Sequence, residues 1–278
     1  MNDFTTSVKS SGPCESSPAN LSRPSYEFPR LPLARFGLDL LLRRRRSLLK
    51  DSQTVMAANP YRRQARGLEN VPSEGPFVLV ANHYDRPGLH VYHCGMFIAT
   101  VIAERRSLSP GIRWVITSEW YGHRIGPIPI PTGLTRWVFR RISKAYGLVV
   151  MPRRASLAVG RAAVLRRIAR IAQRVPIGLM PEAGGSGILR EALEGSGLFL
   201  GALSERGLPL LPIGVWEEDG TLIVRFGEPF ALSVAKEGSR QEQDRQAREQ
   251  VMVAVGRLLP PAYWGYYGKA IQRSLSEG

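Results

Sequence analysis

Residues 77–88 read FVLVANHYDRPG. Phe77 to Ala81 form an unbroken apolar run with no alternation, the pattern of a strand covered on both faces. The run stops at Asn82, His83 follows at once, and Tyr84, Asp85 and Arg86 lead into Pro87-Gly88. An imidazole at a strand end with a carboxylate two residues on has two readings. Asp85 either caps the helix that follows, or turns back to orient the ring of His83 as a base.

Outward from this stretch the chain alternates strand and helix patterns. Residues 88–106 read as a helix, 112–120 as a strand, 134–145 as a helix and 147–153 as a strand. Residues 156–174 carry apolar residues at helical spacing with arginines opposite, and Ser156 stands as a cap. Strands are expected at 175–182, 208–216 and 221–230, and helices at 198–206 and 239–258. Such alternation predicts an α/β fold: a mixed, mostly parallel sheet flanked by helices, with right-handed crossovers. In such sheets ligands bind at the carboxyl ends of the strands. His83, the pair Arg153 and Arg154, and Glu182 each follow a strand, so they are expected to converge at one crevice.

The N-terminal quarter differs in character. Residues 1–29 are rich in Ser, Pro and Asn and read as a disordered tail without a secretory signal. Residues 30–66 form a basic segment in which leucines surround Arg43–Arg46, read as an N-terminal amphipathic helix; residues 67–278 form the α/β domain. The 278-residue chain carries a net charge of +15, with 12 basic and 5 acidic side chains in residues 1–66, so +7 falls there. That balance favours polyanions, and the leucines set among arginines favour a phospholipid membrane surface. A helix packed on the domain with a solvated basic face reads the segment equally well. Nucleic acid is disfavoured, because no aromatic residues interleave with the arginines. No run of 18 apolar residues offers a spanning helix, so the expected location is cytoplasmic, peripheral on the inner face of the membrane. Cys14 and Cys94 lie too far apart for a C-x-x-C motif. His90, His93 and Cys94 lack a further ligand cluster, so no metal is expected there, and His123 reads as a loop histidine.

Four blocks in order resemble the phospholipid/glycerol acyltransferase family, which includes the lysophosphatidate acyltransferases. NHYDRPG resembles its first motif, GLVVMPR (147–153) its second, LMPEAGGSG (179–187) its third and LPLLPIGV (208–215) its fourth. FGEPF and LLPPAYWGYYG resemble its C-terminal region, and the likeness spans roughly residues 60–268. It implies a glycerol-phosphate acyltransferase-like fold and acyl transfer from acyl-CoA or acyl carrier protein to a lysophospholipid hydroxyl. No cofactor is implied, the thioester being a substrate. The resemblance makes His83 the general base and Arg153 the contact to the acceptor phosphate, with Asn82, Arg154, Glu182, Ala183, Gly184, Gly185 and Ser186 around the acceptor. Two positions depart from it. Gly88 stands where the family has the aspartate of the first motif, and Gly185 where it has the arginine of the third. Asp85 is the candidate to replace the first, and Arg86 the candidate to replace the second. The departures leave a further reading open, a homologue that binds lipid or acyl donor without transfer.

Overall fold

The computed structural model describes residues 24–107, 111–117, 124–125, 128–151, 158–182, 184–185, 187–234 and 237–277. Two helices, α1 (Arg30–Leu41) and α2 (Leu48–Ala58), precede the first strand, β1 (Arg63–Arg66). The chain continues through β2 (Val78–Ala81), α3 (Val91–Arg105), β3 (Arg113–Thr117) and a small ribbon of β4 (Arg124–Ile125) and β5 (Ile128–Pro129). There follow α4 (Thr132–Tyr146), β6 (Val149–Met151), α5 (Ala158–Ala172), β7 (Ile177–Leu179) and α6 (Ser196–Ser204). The chain then runs through β8 (Leu210–Glu218), β9 (Thr221–Phe226), α7 (Arg240–Gly256) and α8 (Gly268–Ser276).

The main sheet has seven strands in the order β1-β9-β8-β2-β7-β3-β6. All neighbours run parallel except the β8–β9 hairpin. The mostly parallel α/β sheet flanked by helices is therefore as the sequence predicts. Its alternation sends side chains to two cores. Leu79, Ala81, Leu211, Ile213 and Val215 pack against Val55 and Met56 of α2 and Ile98, Val101 and Ile102 of α3. Val78, Val80, Ile177 and Leu210 pack on the other face with Ile168 of α5, Leu203 of α6, Val251 and Val255 of α7 and Ile271 of α8. Val78 to Ala81 are each fully buried, which is why that segment shows no polar alternation.

Three differences from the sequence reading concern the first 91 residues. Residues 63–66, read as the end of a helical segment, form the edge strand β1 paired with β9. Helix α3 begins at residue 91 rather than 88, because Arg86–Leu89 closes a tight turn, each of its end residues donating its N–H to the other's carbonyl. Of the segment read as a tail, residues 24–29 lie on the domain: Tyr26 is buried and its N–H donates to Gly88 O at 2.6 Å. The rest of that segment lies outside the described residues, as does Ser156.

Candidate functional site

Strands β2 and β7 are parallel neighbours, Val78 to Val80 pairing with Ile177 to Leu179. Residues just past their carboxyl ends are therefore brought side by side. Asn82 is buried, and its carboxamide bonds the backbone of β8 twice, donating to Val215 O at 2.8 Å and accepting from Val215 N at 2.7 Å. The side chain thus extends the ladder by one rung where the main chain of β2 turns away, and it fixes the exit direction of His83.

His83 is half-buried, and its backbone N–H donates to Glu182 Oε2 at 2.6 Å. The other oxygen of Glu182 accepts the N–H of Arg190, also at 2.6 Å. One buried carboxylate therefore ties the turn after β2 to the loop after β7. Burial pushes the Glu182 carboxyl up to about 7, while the two N–H donors and the nearby Arg190 charge favour its ionised form.

Gly185 closes the arrangement. A Cβ placed there would lie 2.3 Å from the Asp85 Cβ and 2.7 Å from Nδ1 of His83. Only a residue without a side chain lets the loop lie against the ring and the aspartate together. The structure thus brings His83, Asp85, Glu182, Gly184 and Gly185 to one place. Arg153, Arg154, Ala183, Ser186 and His123 lie outside the described residues.

Asp85 faces the start of α3. Its Oδ2 accepts Val91 N at 3.2 Å, and Oδ1 lies 3.4 Å from Nδ1 of the exposed His90. The carboxylate satisfies one of the N–H groups left open by the first turn of a helix, so the capping reading is met in this geometry. At Gly88 φ is +80°, and a Cβ would sit 2.9 Å from Ser25 Oγ. A Pro-Gly pair suits such a turn, since proline presets the first central residue and glycine accepts positive φ at the second. An aspartate does not fit this position.

Arg86 is buried and committed within the fold. Its Nε donates to Glu217 Oε2 at 2.6 Å, Nη2 bonds Glu217 Oε1, and Nη1 donates to Pro87 O at 2.6 Å. Tyr84 Oη donates to the same Glu217 carboxylate at 3.0 Å, and Tyr263 Oη to the Glu217 carbonyl at 2.5 Å. This side chain braces the turn onto β8, a geometry that gives no support to its expected role as a phosphate contact. Its partner Glu217 lies one residue past the strand expected at 208–216, where no pattern marks it. Arg190 was also missed, lying beyond the motif in a stretch without pattern.

Among the described residues no group of three or more His, Cys, Asp or Glu side chains is placed to hold a metal ion. His93 accepts the N–H of His90 at 3.1 Å, and burial, aided by the His90 charge, lowers its pKa to about 4. Cys94 is fully buried, which pushes its thiol up.

No protein-family profile and no curated protein matches the chain. Among solved structures it is similar to the crystal structure of the 1-acyl-sn-glycerophosphate (LPA) acyltransferase PlsC from Thermotoga maritima. The TM-score is 0.45 at 18% identity, over 78% of this chain and 86% of that one.

Proposed function

We propose that the chain moves a fatty acyl group from acyl-CoA or acyl carrier protein to a hydroxyl of a lysophospholipid or glycerol-phosphate-type acceptor. The observation that carries this reading is the Glu182 clamp. It joins His83 of the first motif to the Pro-Glu block of the third, 99 positions away, at the carboxyl edge of a mostly parallel sheet. In this mechanism the His83 imidazole takes the proton of the acceptor hydroxyl, and the oxygen attacks the thioester carbonyl. Collapse of the tetrahedral intermediate breaks the carbon–sulfur bond, and the departing thiolate receives the proton from the imidazolium. Glu182 holds the base in register, and the Gly184–Gly185 turn, packed against the ring, would border the acceptor. Neither a metal nor a redox cofactor enters this scheme.

The test supplies lysophosphatidate and acyl-CoA to the purified protein and follows thiol release. Turnover that falls at least about 100-fold in His83→Ala, with the unfolding midpoint retained, is the expected result. Equal release from both proteins would remove His83 as the base.

A second reading, a homologue that binds lipid or acyl donor without transfer, is favoured by one observation. The place of the motif aspartate is a positive-φ glycine, and the carboxylate of Asp85 is engaged at the start of α3. Tight binding of a non-hydrolysable acyl-CoA without turnover would select it.

Either way the partner surface we propose is a phospholipid membrane, approached through α1. Leu31, Leu33, Leu38, Leu41 and Leu42 are exposed on or beside that helix, with Arg43–Arg46 following. No helix among the described residues is long and apolar enough to cross a membrane.

A further inference from the structure

We infer that Arg190 is the side chain that binds the phosphate of the acceptor, beside His83 on the Gly184–Gly185 turn. Among the described residues, Arg86 and Arg190 belong to the segments that meet at this turn, and they differ in what holds them. Arg86 is buried and braced by Glu217 and Pro87. Arg190 is exposed, and among the described residues no hydrogen bond or salt bridge engages its guanidinium.

Its backbone, however, is fixed. Glu182 holds the N–H of Arg190 with one oxygen and the N–H of His83 with the other, each at 2.6 Å. The guanidinium end lies over the glycine turn: Nη1 is 3.7 Å from where a Cβ on Gly184 would stand. The ring of His83 meets the next residue, Gly185, at 2.7 Å by the same measure. Consecutive Cα atoms are about 3.8 Å apart, so an imidazole and a guanidinium lie at neighbouring positions of a turn whose described residues, Gly184 and Gly185, carry no side chains, with the Asp85 side chain also against Gly185. A guanidinium presents a fork of donors that matches phosphate oxygens, and a glycine turn leaves backbone N–H groups approachable by an anion. A hydroxyl at the imidazole and a phosphate monoester at Arg190 would then belong to one molecule, a lysophosphatidate-like acceptor.

The identity of this ligand rests on the acyl-transfer reading, and the test keeps the two apart. Binding of lysophosphatidate, of monoacylglycerol with the same chain, of coenzyme A and of inorganic phosphate is measured by calorimetry on the full chain. Wild type, Arg190→Ala, Arg190→Lys and His83→Ala are compared, with unfolding midpoints to confirm that each is folded. Arg190→Ala is expected to weaken lysophosphatidate about 10- to 100-fold and leave monoacylglycerol unchanged. Arg190→Lys falls between, and His83→Ala weakens lysophosphatidate and monoacylglycerol alike, since both bring a hydroxyl to the imidazole. Equal lysophosphatidate affinity in wild type and Arg190→Ala overturns the assignment. So does a loss confined to coenzyme A, or inorganic phosphate binding as tightly as lysophosphatidate. Binding that depends on Arg190 with no thiol release leaves the assignment standing and removes acyl transfer instead.

Discussion

Glu182 and His93 sit on opposite sides of the same acid–base balance. With a folded pKa raised from 4.5 to about 7, Glu182 favours the folded state below pH 4.5, and that advantage is lost as pH rises to 7. His93, lowered from 6.5 to about 4, does the reverse: its contribution is intact above pH 6.5 and is lost as pH falls to 4. Between pH 4.5 and 6.5 the two nearly cancel. Removing one uncovers the other, so wild type should gain about 3 kcal/mol on Glu182→Gln as pH falls from 7 to 4.5. Urea unfolding at several pH values measures this, and a constant difference would refute the raised pKa. At Gly88 the expected outcome runs against motif repair. Gly88→Asp meets both positive φ and Ser25, so it should cost about 1–3 kcal/mol and add no turnover. Any gain in thiol release from that variant would show that the turn can be rebuilt around an aspartate. Much of this was open to sequence reading at His83, because a histidine at the end of an apolar strand is a local signal. The committed state of Arg86 was not, because its partner Glu217 lies 131 positions away.

At the scale of elements, the strands that read most plainly were the central ones. β2, β7 and β8 are apolar because helices cover both faces, and burial writes itself into composition. β1 reads in the sequence as part of a helix because an edge strand of sequence RQAR has no apolar face to display. The sequence pattern starts α3 three residues early, since Pro87 suits the first turn of a helix as well as a tight turn, and Gly88 decides for the turn. The joint between these elements is the ion pair of Arg86 and Glu217, which fastens the β2–α3 turn to β8. Both side chains are buried, so Arg86→Ala leaves a carboxylate without its cation and should cost about 3–5 kcal/mol. Arg86→Met with Glu217→Met should recover most of that, because the charge removed is then matched. Chemical unfolding of the three variants checks it, and a double variant as unstable as the single one would refute the pairing as the cause. Asp85→Ala, by contrast, removes the cap on α3 and the contact with the exposed His90, and should cost about 1 kcal/mol in the same unfolding measurement.

For the molecule as a whole, charge and exposed leucine concentrate at one end of the chain. Of the net +15, +7 falls in residues 1–66, where Leu31 is 77% and Leu41 63% exposed. α1 does not float free of the domain. Phe36 stacks on Tyr146 of α4 with ring centroids 5.9 Å apart, and Arg46 N donates to Ala145 O at 2.9 Å. Arg46 also bonds Asp39 and Asp51, closing the bend between α1 and α2. Helix α4 itself exposes Leu134 and Trp137. The membrane face proposed for α1 would thus be fixed to the domain, so docking would hold the proposed site at a set distance from the lipid rather than tether it loosely. Deleting residues 1–66 is a poor test, because it also takes away β1 and the buried Tyr26. Replacing Leu31, Leu38 and Leu41 with glutamate leaves the fold intact, as all three are exposed. Flotation with vesicles containing an anionic lipid should then fall about ten-fold or more, through lost apolar burial and added repulsion. Wild-type binding should weaken as salt shortens the screening length from about 10 Å at 0.1 M to about 3 Å at 1 M. Unchanged flotation of the triple variant would place the lipid-binding face elsewhere. Flotation insensitive to salt would assign it to the leucines alone, leaving the excess arginines to a different partner.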